Sequence, residues 1–199
     1  MAVLQSGNLS FNAQFADFES GYIQYNFYFL WKDEPIINDE IIDRSSEYRK
    51  NIPKGGIIAD EYREDYFVPF LRRILEEDKA DYWESLDPDV TVAIYPDEYF
   101  LFLKSHWVLL HESEEQKQER EAQLQRKKER GKLPDDSYTI IIFVDAYNFK
   151  DEGVYQGDGV SLQMMVNRTT LEAFADALAR EYEEFKKQFN VDEWNAEND

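Results

Sequence analysis

Cysteine is absent from this chain of 199 residues, and histidine occurs only twice. Without thiols there is no disulfide, thiolate zinc site, iron-sulfur cluster or cysteine nucleophile, and two histidines are too few for a histidine-rich metal site. Glycine is scarce at 8 residues, and the chain has no G-x-x-x-x-G-K-[ST], G-x-S-x-G or H-E-x-x-H. Readings as an NTPase, an α/β-hydrolase or a zincin therefore have no warrant, and no glycine fingerprint announces a dinucleotide fold. Positive charge is short as well: 22 Lys and Arg stand against 42 Asp and Glu, a net charge of -20. Phosphate contacts need cations, so direct nucleic-acid binding and docking on anionic lipid are not expected. No run approaches the roughly 18 apolar residues of a membrane span, and Met1 to Asn8 has neither a basic nor an apolar leader region. A soluble, cytoplasmic protein is the expectation.

What is present is core material. Hydrophobic residues make up 43% of the chain and aromatics 16%, enough for one domain over 1–199. Phe11, Ala13 and Phe15 alternate with polar residues. After Ser20-Gly21, the residues Ile23, Tyr25, Phe27, Phe29 and Trp31 share a face, which reads as a β-hairpin. Its other face carries Tyr22, Gln24, Asn26, Tyr28 and Leu30. Residues 34–59 read as a connection packed by pairs of isoleucines. Tyr62, Tyr66, Phe70 and Ile74, with Phe67, Leu71 and Leu75 beside them, predict a helix from Asp60 to Asp78. Pro69 is its weak point unless the helix starts near Asp65.

Val90 to Tyr95 and Tyr99 to Leu103 read as strands around Pro96-Asp97-Glu98. Ser137 to Phe149, with Val160 to Val166 returning, reads as a third hairpin whose first strand is central. Thr169 and Glu172 have capping-box spacing ahead of a stripe of Leu171, Phe174, Leu178, Tyr182, Phe185 and Phe189. Residues 112–132 carry 6 acids and 7 bases with almost no apolar face, which predicts a protruding charged helical arm. Residues 191–199 read as an acidic tail on which Trp194 is free to dock. The expected fold is α+β: an antiparallel sheet of about six strands in three hairpins, backed by the Asp60 and Thr169 helices.

Candidate chemistry is thin. His106 and His111 share no face, and a structural or surface role suits them. Asp145 interrupts an apolar run, so it must be paired, exposed at a strand end or functional. Asp151, Glu152 and Asp158 among glycines lack the order of an EF-hand, and no metal or cofactor is expected. The acidity itself is the strongest signal. It belongs to the body of the chain, with -11 up to His111, +1 in the arm and -10 beyond it. Acids interleave with aromatics at Asp60, Glu61, Tyr62, Glu64, Asp65, Tyr82, Trp83, Asp87, Asp89, Asp97 and Glu98, joined by Tyr22 and Tyr28. Carboxylates that steer and rings that anchor predict a surface for a basic protein partner.

A small, acidic, cysteine-free α+β chain that ends in two strands and the helix Thr169 to Leu178 (Thr-Thr-Leu-Glu-Ala-Phe-Ala-Asp-Ala-Leu) resembles the immunity proteins encoded beside bacterial polymorphic toxins. That resemblance implies a stoichiometric inhibitor, monomeric or homodimeric, that masks a basic toxin or nuclease. The alternatives are a DNA-mimic inhibitor from a phage, blocking a defence protein, and a carboxylate-based enzyme built around Asp145. An enzyme is not the expectation.

Overall fold

The computed structural model describes residues 1–43, 52, 54–62, 67–87, 89–96, 113–129, 136–150 and 157–198. Its fold is α+β, with two antiparallel sheets where the sequence predicts one. The first sheet holds β1 (Ala2–Ser6), β2 (Leu9–Glu19), β3 (Tyr22–Trp31), β4 (Glu34–Pro35) and β5 (Gly56–Tyr62). In it β1, β2, β3 and β4 neighbour one another in that order, and β5 also pairs with β3. The β2–β3 hairpin turns at Ser20-Gly21, both in the left-handed region at φ 54° and 87°, the backbone that a two-residue turn between twisted strands requires. Alternation then does what its period demands. Phe11, Phe15, Ile23, Tyr25, Phe27 and Phe29 point inward and are buried, while Trp31 at the strand end is 52% exposed.

The helix α1 (Phe67–Glu77) starts seven residues later than the periodicity from Asp60 predicts. Residues 60–62 instead continue β5, pairing Gln24 with Asp60 and Tyr22 with Tyr62. Pro69 consequently falls in the first turn, where its missing N–H costs nothing. The second sheet runs β6 (Asp81–Glu84), β7 (Val90–Pro96), β8 (Ser137–Asp145), β9 (Gly159–Asn167) in that order. β8 is central, with Ile140, Ile142 and Val144 buried on one face. The partner expected for β7, Tyr99 to Leu103, lies outside the described residues; β7 pairs with β6 and β8.

Between β7 and β8 stands α2 (Glu114–Glu129), whose described side chains are all exposed. Ser113 and Gln116 form its reciprocal cap, Gln116 N–H donating to Ser113 Oγ at 3.2 Å and Ser113 N–H to Gln116 Oε1 at 2.9 Å. The long helix α3 (Arg168–Phe189) buries Leu171, Phe174, Leu178, Tyr182 and Phe185. Its cap is Asn167, whose side chain accepts from Thr170 N–H at 2.8 Å, in place of the Thr169–Glu172 box; Glu172 pairs with Arg168 at 3.0 Å. The stretch read as a tail is helical, α4 (Val191–Asn198). Val191 is fully buried, and the Trp194 ring meets Phe18 edge-on with centroids 5.6 Å apart. A Cβ on Gly21 would sit 2.6 Å from that indole, so the turn needs glycine for space as well as for backbone.

One hydrophobic core joins both sheets with α1 and α3. The sheets meet at two seams. Ser6 Oγ of β1 donates to Met165 O of β9 at 2.7 Å, and Leu86 N–H, just past β6, donates to Asp60 O of β5 at 2.7 Å. Asp78, past the end of α1 at φ 50°, accepts from Tyr138 Oη at 2.6 Å and from Arg168 Nη1 at 3.0 Å. These bonds tie α1 to β8 and to the start of α3. They also hold the Asp78 carboxyl below the usual range, the Tyr138 hydroxyl contributing most and Arg168 adding to it.

Candidate functional site

Of the acids and aromatics singled out in the sequence, Asp60, Glu61, Trp83, Asp87 and Asp89 meet where β5 approaches β6, and the strand period separates inward from outward positions. Glu61 points inward and is 2% exposed. Its carboxylate accepts from Tyr25 Oη, from Trp83 Nε1 at 2.6 Å and from Phe67 N–H at 2.9 Å. The last is the first amide of α1, so Glu61 caps that helix from the preceding strand. Trp83 and Tyr25 are themselves buried. Desolvation pushes the Tyr25 phenol well above its usual value, and the neighbouring Glu61 pushes it further. Three donors on one buried carboxylate make a structural post.

The neighbours of Glu61 face the other way. Tyr62 is 51% exposed and stands opposite Tyr22 in the ladder, with ring centroids 5.0 Å apart and hydroxyl oxygens 3.5 Å apart. The Tyr22 phenol is raised, chiefly by that hydrogen bond to Tyr62 and its charge, and in lesser part by burial and Asp60. Because Trp83 points in toward Glu61, Tyr82 and Glu84 point out; Tyr82 is 61% exposed and Glu84 and Asp87 are exposed. Asp17 and Glu19, on β2 beside Gln24 and Tyr22, are exposed too. Outward positions of β3, β5 and β6 thus carry three tyrosines, and those of β2 and β6 carry carboxylates.

Asp60, Asp87 and Asp89 each bring an oxygen within 4.8 Å of the others, Asp60 and Asp89 buried and Asp87 exposed. Oxygen-only donors suit a hard cation, yet three are at most half of the roughly six to eight that calcium takes. No spacing in the sequence signals this triad, since Asp60 is on β5 and Asp87 and Asp89 follow β6, where Leu86 N–H bonds to Asp60 O. Asp145 sits at a strand end, 2% exposed. Its oxygens accept from Tyr147 N–H at 2.8 Å and from Gly157 N–H at 3.0 Å, which is how a carboxylate is held at the end of an apolar strand.

Tyr28 lies six residues from Tyr22 on the same face, half-buried, and burial raises its phenol. Glu64, Asp65, Asp97, Glu98, His106, His111, Asp151 and Glu152 lie outside the described residues; Asp158 is exposed. A recess of about 90 Å³ lined by Asp78, Pro96, Asp136, Ser137 and Tyr138 is well below the roughly 300 Å³ of a small-molecule pocket. Among the described residues no helix is long and apolar enough to cross a membrane. No protein-family model, curated protein or solved structure matches the chain.

Proposed function

We propose that this protein is an acidic binding protein that masks a basic partner in the cytoplasm, in the manner of an immunity protein covering a toxin or nuclease. The observation that carries this reading is the pair of half-buried Tyr22 and exposed Tyr62 beside Asp17 and Glu19 of β2, together with exposed Tyr82, Glu84 and Asp87 on and after β6, in a chain of charge -20. The carboxylates steer a cationic surface in, and the rings supply apolar area at little entropic cost once it arrives. Glu61, Trp83 and Asp89 take no part in the contact, because they are buried.

Capture at low salt from a bacterial extract, followed by kinetics with the recovered protein, tests the reading. A basic partner is expected, with an association rate that falls steeply as the Debye length shrinks from about 10 Å at 0.1 M salt to about 3 Å at 1 M. Tyr62→Ala raises the off-rate, and Glu84→Lys with Asp87→Lys lowers the on-rate. An association rate indifferent to salt sinks the proposal. Competition by duplex DNA for the same partner turns it toward mimicry of DNA.

A further inference from the structure

The pairing of Tyr22 with Tyr62 has a chemical consequence independent of any partner. The two residues end the β3–β5 ladder opposite each other, their rings inclined by 37° with centroids 5.0 Å apart and hydroxyl oxygens 3.5 Å apart. Coupling joins carbons ortho to the hydroxyls, so rings that already meet at their hydroxyls need only a small turn to bring those carbons together. Tyr62 is exposed and Tyr22 half-buried, so a diffusing oxidant reaches the pair from the Tyr62 side. Cysteine, the usual first sink for oxidants, is absent. We propose that Tyr22 and Tyr62 form an oxidative cross-linking site that yields an intramolecular dityrosine.

The oxidant required is a peroxidase-type one-electron oxidant fed by hydrogen peroxide. Each phenol loses one electron and one proton, the two phenoxyl radicals join through their ortho carbons, and tautomerisation restores both hydroxyls. Two hydrogen atoms leave the protein and one hydrogen peroxide becomes two waters. The new carbon–carbon bond ties strands whose joined residues lie 40 positions apart, closing a loop in the unfolded chain as a disulfide does. Tyr82 is the internal control. It is the more exposed at 61%, yet among the described residues no aromatic ring stands against it, so preorganisation and not exposure sets where coupling occurs.

The experiment is treatment of the dilute protein with a haem peroxidase and hydrogen peroxide. It is read by dityrosine fluorescence, by the intact monomer mass and by peptide mapping. The expected result is a monomer lighter by two hydrogens, with peptides containing Tyr22 and Tyr62 joined. Tyr22→Phe or Tyr62→Phe brings the fluorescence of the monomer down to that of untreated protein, whereas Tyr82→Phe leaves it unchanged. Each substitution removes a single hydroxyl, and circular dichroism of each variant checks that its fold is kept. Cross-links only between chains, monomer fluorescence that survives Tyr62→Phe, or oxidation confined to tryptophan would each overturn the assignment.

Discussion

Glu61 and Tyr62 are consecutive on one strand, and they occupy opposite physical worlds. Glu61 sits at 2% exposure under three donors, while Tyr62 at 51% meets water and one other tyrosine. A carboxylate can be buried so deeply only because each donor offsets part of its desolvation. A ring can be left so exposed only because nothing in the core needs it. Neighbouring positions in an acidic, aromatic sequence thus separate into scaffold and surface by the parity of a strand, and charge alone does not tell them apart.

The comparison breaks most visibly if Glu61 is removed. Glu61→Leu leaves Tyr25 Oη and Trp83 Nε1 without their acceptor, each costing about 1–3 kcal/mol, and leaves the Phe67 amide only its longer bond to Tyr25 Oη at 3.3 Å. The unfolding free energy in urea is expected to fall by about 3 kcal/mol or more. Tyr62→Ala, one residue away, is expected to stay within about 0.5 kcal/mol of the parent. Equal losses at the two positions would erase the distinction between scaffold and surface.

A middling effect is expected from Asp78, a carboxylate that is exposed and yet held. Its folded-state pKa is lowered, first by the Tyr138 hydroxyl and then with help from Arg168. Its contribution is therefore present above the ordinary carboxylate pKa of about 3.9 and is lost as pH falls through the lower folded value. Solvent screening keeps that contribution small, since its side chain is 61% exposed. Urea midpoints followed from about pH 5 down to about pH 2 should decline less steeply in Asp78→Asn than in the parent. Parallel curves would count against a held carboxylate.

The smallest effect belongs to α2. Replacing residues 114–129 by a short Gly/Ser turn removes no described side chain from the core, so the melting temperature should move by no more than the roughly 2–4 °C that 1 kcal/mol gives a domain of this size. Collapse of the fold would show that the arm is packed.

What the sequence shows clearly is whatever repeats locally. The inward stripe of β3 and the stripe of α3 are legible because period two and period 3.6 persist for ten residues or more, and the arm is legible because it lacks a stripe. The start of α1 is not: Tyr62 stands at helical spacing from Tyr66 and Phe70, but pairing with Gln24, Ile23 and Tyr22 draws Asp60, Glu61 and Tyr62 into a strand. Strand β6 is four residues long, too short for a period to register. The inward role of Glu61 depends on Tyr25, 36 positions earlier, and on Trp83, 22 positions later. The separation of one sheet into two likewise rests on where the strands meet and not on any stretch of sequence.

The seam between β1 and β9 sets an order on the protein as it is made. Ser6 finds its partner in Met165, 159 residues downstream, and the helix that lies against β1 and β2 is α3, later still. On the ribosome the first hairpin therefore emerges complete in its own hydrogen bonds, while Leu4, Phe11 and Phe15, buried in the finished fold, still await the helix that covers them. Most of the chain must be translated before that surface closes, and through that interval the nascent protein carries exposed aromatic rings on an unfinished sheet.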